Sequence, residues 1–314
     1  MQLINDRING DDSLMLANYF LIQKGGEGNE VLQRYKSDLQ SLYSAKLDDV
    51  DFTVDSAKIL TTVNNWVQEK TKGLIKTILT VPPNPDTRLI LLNAIYFKGK
   101  WDKPFDKEMT QKMPFFNKGV EEVETDFMTR YGTSFPYAFG KIGGEETHIV
   151  ELPYQDGTTT MIIVLPEKRD GLKSMLTAES LHNDLTNTIS NDSSLPRYPT
   201  KLDLFLPKFK LETEYVLNGP LSELGMSDIF EEEKADLSGI AGSKDLYVSL
   251  AKHKAVVKVD EEGTEAAAVS AMMVMCCMSM PMPNIVVQVD HPFLFVIKDK
   301  KTGLALFIGK VETF

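Results

Sequence analysis

The sequence is poor in cysteine, histidine and basic clusters, and each shortage removes a class of function. Its two cysteines, Cys276 and Cys277, are adjacent. Neighbouring residues close no useful loop, so no disulfide framework ties distant segments and the fold must stand on packing. There are four histidines, His148, His182, His253 and His291. None forms a metal-ligand pair, no G-x-S-x-G elbow occurs and no carboxylate pair stands out, so an enzyme has no visible nucleophile or base. Lys and Arg number 34 against 45 Asp and Glu, giving a formal net charge of -11, and clusters such as Lys298, Lys300 and Lys301 are short. No nucleic-acid or heparin surface is expected. MQLINDRING at the start has no apolar signal core.

What is present is the composition of a soluble protein with a large core: 314 residues, 42% hydrophobic and 25% charged. Apolar runs predict strands at 14–23, 88–98, 148–154, 159–166, 201–207, 254–260, 284–290, 293–299 and 304–311. RLILLNAIYFK, continuously apolar, fits a strand buried on both faces. Helical spacing predicts helices over 29–43 and 54–73, the second stopped by Gly73, with further helices near 170–185 and 213–225. Strands and helices are intermixed without the regular alternation of a doubly wound sheet and without a linker. GGEGNE (25–30) sits between a strand and a helix as a phosphate loop would, but it lacks the third glycine and Glu27 would repel phosphate, so a plain turn is expected.

The segment EGTEAAAVSAMMVMCCMSMPMPN (262–284) admits three readings. No charge occurs from Ala266 to Gln288, but Pro281 and Pro283 leave a run too short to span a membrane. Six methionines between Met272 and Met282 surround the two cysteines, and such soft ligands suit Cu(I), although methionine also serves as a flexible apolar filler. Alternatively, Gly263 followed by small residues is a hinge feeding an extended segment. Thr264, Ala266, Ala268, Ser270, Met272, Val274 and Cys276 fall on one face at period two, small groups first, and could slide into an existing sheet.

These residues resemble the serpin family. DEEGTEAAAVSA (260–271) is similar to the serpin hinge, HPFLFVI and LALFIGKV (291–297, 304–311) to its C-terminal strand pair, and NAIYFKGKW (93–101) to its central-sheet strand and breach tryptophan. NNWVQEKTKGLI, ELPYQDGTTTMIIVLP, LPKFKLETEYVLNGPLSELGMSDIF and LSGI resemble further blocks in the same order. The resemblance implies an α+β fold with a large central, mostly antiparallel sheet, two further sheets, surrounding helices and an exposed reactive loop at about 261–284. Residues 1–314 would form a single serpin domain, N-terminally truncated relative to the family pattern.

The implied activity is inhibition of a serine protease, without cofactor or metal, and not enzymatic. A protease acylated by the loop is trapped covalently as the hinge inserts into the sheet. The hinge would comprise Glu262, Gly263, Thr264, Glu265, Ala266, Ala267, Ala268 and Val269. The shutter and breach would comprise Asn93, His253 and Trp101; from spacing alone, His253 reads as a histidine hydrogen-bonded within a strand. Family spacing from Gly263 places the reactive bond at Cys277–Met278, and the fourteen steps between Gly263 and Cys277 span roughly 46 Å when extended. An apolar residue there implies a chymotrypsin-like or elastase-like target. The Cys–Met pair resembles the ovalbumin-like branch, mostly intracellular, and two free thiols favour a reducing compartment. Cytoplasmic location and a monomer that binds neither nucleic acid nor membrane are therefore expected. The sequon Asn191-Asp192-Ser193 points instead to the extracellular alternative. A non-inhibitory serpin, acting as a binding or chaperone-like protein, would carry the same blocks.

Overall fold

The computed structural model describes residues 14–24, 31–190, 195–263 and 284–314. In chain order the longer elements are β1 (Leu14–Gln23), α1 (Gln33–Tyr43), β2 (Lys46–Val50), α2 (Ser56–Lys70), β3 (Leu89–Phe97), β4 (Gln111–Asn117), β5 (Glu121–Ile142), β6 (Glu145–Pro153) and β7 (Thr159–Pro166). There follow α3 (Gly171–Thr177), α4 (Leu181–Ile189), β8 (Tyr198–Pro207), β9 (Phe209–Val216), β10 (Val248–Val259), β11 (Ile285–Gln288), β12 (Phe293–Asp299) and β13 (Ala305–Val311). They fall into two compact units, Met1–Lys98 with Lys210–Val257, and Gly99–Phe209 with Lys258–Phe314.

The first unit is built on a five-stranded sheet in the order β2-β1-β3-β10-β9. This sheet is mixed: β1 runs parallel to β2 and antiparallel to β3, and β3 runs parallel to β10. Helix α2 packs on it because Ile59, Val63 and Val67 recur every fourth residue and are buried. They meet Tyr19, Leu21, Ile90, Leu92, Tyr96 and Val256 in one core. Each such side chain contributes about 2 kcal/mol of apolar burial. Beyond α2 the chain turns at Gly73, whose φ of +80° suits glycine and whose N–H donates to the Gln68 carbonyl at 2.7 Å.

The second unit carries an eight-stranded sheet, ordered β11-β8-β5-β6-β7-β12-β13 with β4 added on β5. Strand β5 runs for 22 residues and pairs in turn with β4, β8 and β6. That sharing joins into one sheet what the family resemblance led us to expect as two smaller ones. Among the described residues the strand pairs of this sheet are antiparallel except β11 on β8. Strands β7 and β12 are buried throughout, the apolar runs MIIVLP and FLFVI together with the polar Thr159, Thr160, Lys298 and Asp299 at their ends. One side of this sheet is covered by α3 and α4 through Leu172 and Met175, with Leu181, Leu185 and Ile189 packed alongside.

Two helix expectations change. The helix expected at 213–225 begins as strand β9, because LETEYV alternates and places Glu212 and Glu214 on the face where Lys254 and Lys252 of β10 receive them, at 2.8 and 2.6 Å. A short helix, Asn218–Leu221, follows and runs directly into a π turn, Ser222–Met226, so the C-terminal half of the expected range is helical. The helix expected near 170–185 is broken at Ala178, whose ψ of 130° is extended, into α3 and α4.

Candidate functional site

A polar row crosses the middle of the five-stranded sheet. Asn18 of β1, Asn93 of β3 and His253 of β10 are register partners. Asn93 Nδ2 donates to Asn18 Oδ1 at 2.7 Å, and Asn93 Oδ1 lies 2.6 Å from His253 Nδ1. With its amide nitrogen committed to Asn18, Asn93 can only accept from the imidazole, so the proton sits on Nδ1 of His253. Burial lowers the His253 pKa, which keeps the ring neutral at pH 7. Asn18 Nδ2 donates onward to the Tyr43 carbonyl at 3.0 Å. The row is therefore uncharged, and side chains alone tie its three strands together beyond the backbone ladder.

In the second unit the chain leaving β10 is fastened by its main chain. The Trp101 indole Nε1 donates to the Asp260 carbonyl at 2.9 Å, the Phe105 N–H to Glu261 at 2.7 Å and the Trp101 N–H to Glu262 at 3.0 Å. Trp101 is buried, stacked on Tyr154 at 4.4 Å with an interplanar angle of 13°, and Phe105 meets it edge-on. Burial drives the Tyr154 phenol pKa well above its ordinary value of 10.0, so the stacking partner is neutral.

Gly263 ends this anchorage with φ at +95°. A Cβ there would stand 2.3 Å from the Gly99 carbonyl oxygen and 2.5 Å from the Trp101 nitrogen, both backbone atoms that cannot swing aside. Only glycine fits both the conformation and the space.

Charges reinforce the fastening. Glu261, 5% exposed, accepts from Lys208 Nζ at 2.9 Å and from Thr110 Oγ1 at 2.7 Å. Burial works to raise the Glu261 pKa, but the bonds from Lys208 and Thr110 outweigh it and bring the carboxyl below its usual range. Glu262 forms an ion pair with Lys107, and Asp260 one with Lys258.

Of the residues singled out in the sequence, Asn93 and His253 thus meet in the row, while Trp101, Glu262 and Gly263 meet at the anchorage. Thr264, Glu265, Ala266, Ala267, Ala268, Val269, Cys277 and Met278 lie outside the described residues, as do the methionine run, GGEGNE and the sequon at Asn191. Among the described residues no group of three or more His, Cys, Asp or Glu could hold a metal, and no helix is long and apolar enough to cross a membrane. Sequence reasoning missed Asn18, Lys107, Lys208 and Tyr154. Asn18 did leave a signal, a lone amide inside the apolar run LMLANYFLIQ.

Comparison with known proteins settles the family. A model described as Serpin (serine protease inhibitor) matches residues 1–313. The chain belongs to the serpin family. It is 43% identical to Iripin-2 of Ixodes ricinus, over 96% of this chain and 72% of that protein. It is 39% identical to leukocyte elastase inhibitor of Homo sapiens, over 96% of this chain and 77% of that protein. Among solved structures, native protease nexin-1 with heparin superposes with a TM-score of 0.83 at 26% identity, covering 99% of this chain and 80% of that one. Uncleaved ovalbumin gives 0.80 at 28%, covering 99% and 77%. The α+β serpin fold expected from the motifs is the fold of this chain, and inhibitor-named relatives support protease inhibition.

Proposed function

We propose that this protein inhibits a serine protease as a suicide substrate. The parallel pairing of β3 with β10 carries the reading. A chain that leaves β10 and doubles back at Gly263 would run antiparallel to both strands if it entered between them, completing a hydrogen-bonded ladder on each side. Reach is sufficient: the fourteen steps from Gly263 to Cys277 extend about 46 Å, against about 40 Å for the twelve residues of β10. Small residues from Thr264 to Val269 would let the leading part of that strand enter without burying an unpaired charge.

In this mechanism the protease attacks at Cys277–Met278, is acylated, and is carried off by the inserting strand before water releases it. Asn93 and His253 close the β3–β10 seam, and Trp101 covers the point where the hinge departs. The thiols at 276 and 277 suit a reducing compartment, so the protein acts in the cytoplasm as a monomer, 1–314 forming one serpin domain. The primary pocket of the target accepts an apolar side chain, as in chymotrypsin-like and elastase-like enzymes.

Incubation with a panel of serine proteases, followed by denaturing electrophoresis, tests this. The expected result is a denaturant-resistant band with a chymotrypsin-like or elastase-like enzyme, shifted toward trypsin-like enzymes by Cys277→Arg. Clean cleavage without such a band for every protease would return the protein to the non-inhibitory alternative, and a main cut after Met275 or Met280 would displace the reactive bond.

A further inference from the structure

The anchorage holds two glutamates in different surroundings. Glu261 is enclosed by Lys208 and Thr110. The Glu262 side chain is 16% exposed, and its partner Lys107 is 65% exposed. Lys107 opens a one-turn 3-10 helix, Lys107–Met109, which Asp106 caps by accepting from the Glu108 N–H at 3.0 Å. That helix starts two residues after Phe105, the last residue whose N–H holds a hinge carbonyl. The Lys107 ammonium therefore reaches back over the end of the main-chain fastening. It also feels the carboxylates of Glu261 and Asp260, and its pKa is raised, first by the bond to Glu262.

We infer that Lys107 is a positioning residue for protease trapping: its ion pair with Glu262 latches the hinge onto the 99–105 segment and slows its departure. The inference rests on the inhibitory reading above. Two of the three carbonyl bonds join backbone groups and the third is donated by the buried Trp101 indole, so the half-exposed Lys107–Glu262 pair is the part of the anchorage that a substitution can tune without touching the fold. Three consecutive acidic side chains, Asp260 to Glu262, crowd this end of β10, and Lys107 is one of three lysines that oppose them, with Lys208 and Lys258. Withdrawing it removes one of the cations that hold this acidic segment on its seat. Because Lys107 is largely in water, the latch weakens as salt rises.

Hydrogen exchange reads the latch directly. The Trp101 and Phe105 amides donate to the hinge carbonyls, so their exchange reports release whether or not a protease is present. At low ionic strength Lys107→Ala should exchange at these two amides about threefold faster than the parent, the size expected of a partly exposed ion pair. Lys107→Glu should be faster still, the exchanged pair Lys107→Glu with Glu262→Lys should return toward the parent, and high salt should erase the differences. With a trapped protease, the faster-releasing variants should consume fewer inhibitor molecules per complex. Parent-like exchange in both single variants, or no recovery in the exchanged pair, would overturn the latch. A parent that traps no protease would overturn the inhibitory reading while the exchange result still decided whether Lys107 holds the hinge.

Discussion

The row through Asn93 and the anchorage at Trp101 hold the middle of β10 and the chain that leaves it in different ways. His253 lies within β10 and is held by neutral side chains, Asn93 and through it Asn18, in a regular ladder. Asp260 to Gly263 follow the end of β10 and are held by their carbonyls, by a glycine with no room for a Cβ, and by ion pairs. Side-chain bonds can be broken one at a time and replaced by water. A backbone seat shaped around glycine fails as a unit. On the proposed mechanism this difference fits the work of each: the row must part evenly along the seam, whereas the hinge must stay seated until cleavage and then leave completely.

The largest effect should come from filling the glycine seat. Gly263→Ala adds left-handed strain and a Cβ 2.3 Å from a backbone oxygen, a cost of about 3 kcal/mol. The hinge would be displaced, so the Trp101 and Phe105 amides should lose protection and the melting temperature should fall by several degrees, while the Asn93 row stays intact. An unchanged melt with full protection at those amides would show that the seat is not confined and that the contrast between the two regions is false.

Breaking the row should cost less. Asn93→Ala removes both side-chain bonds, but Asn18 and His253 are only half buried and water can replace part of what is lost, so about 1–2 kcal/mol is expected. Protection at the Trp101 and Phe105 amides should be unaltered, because the side-chain partners that Asn93 loses are Asn18 and His253. A melt unaffected by the change would reduce the row to a register coincidence. A loss of protection at the anchorage would join the two regions into one cooperative device.

How much of this was legible beforehand depended on whether the signal was local. Strands β3, β7 and β12 announce themselves as predominantly apolar runs, and α2 by its four-residue stripe. Strand β5 was not expected: its sequence has no sustained apolar run, and Gly132 sits at a register shift between Arg130 and Thr133 with φ of +56°, after which the strand runs on. Strand β9 escaped because its glutamates look like a solvated helix face until Lys252 and Lys254 are placed opposite them. The roles of Asn93, Trp101 and His253 came through the family motifs, whereas Gly263 was already marked as a hinge by the small residues at period two that follow it. Their partners were not found, since Trp101 and Asp260 are 159 residues apart and Lys208 and Glu261 are 53 apart, and contacts across such separations leave no repeat to detect.

The smallest and most discriminating effect concerns protons. Burial holds the His253 pKa below its ordinary value of 6.5. Above that value the ring is neutral in both the folded and the unfolded chain, and it contributes no pH dependence. As pH falls below 6.5 the unfolded chain takes up the proton while the folded chain resists, so stability declines toward the lowered folded pKa. The anchorage behaves otherwise. Glu261 has its carboxyl pKa brought below its ordinary 4.5, so its contribution is present above that value and is lost only as pH falls beneath it. Between about pH 7 and pH 5 the row should therefore respond while the Glu261 contacts do not. Denaturant melts across that interval should show a modest loss of stability in the parent and a shallower one in His253→Gln, with protection at the Trp101 and Phe105 amides constant in both. Parallel pH profiles for parent and variant would show that His253 takes up its proton equally in the folded and the unfolded chain, and a parent that gained stability over the variant toward pH 5 would mean that the row is charged in the fold.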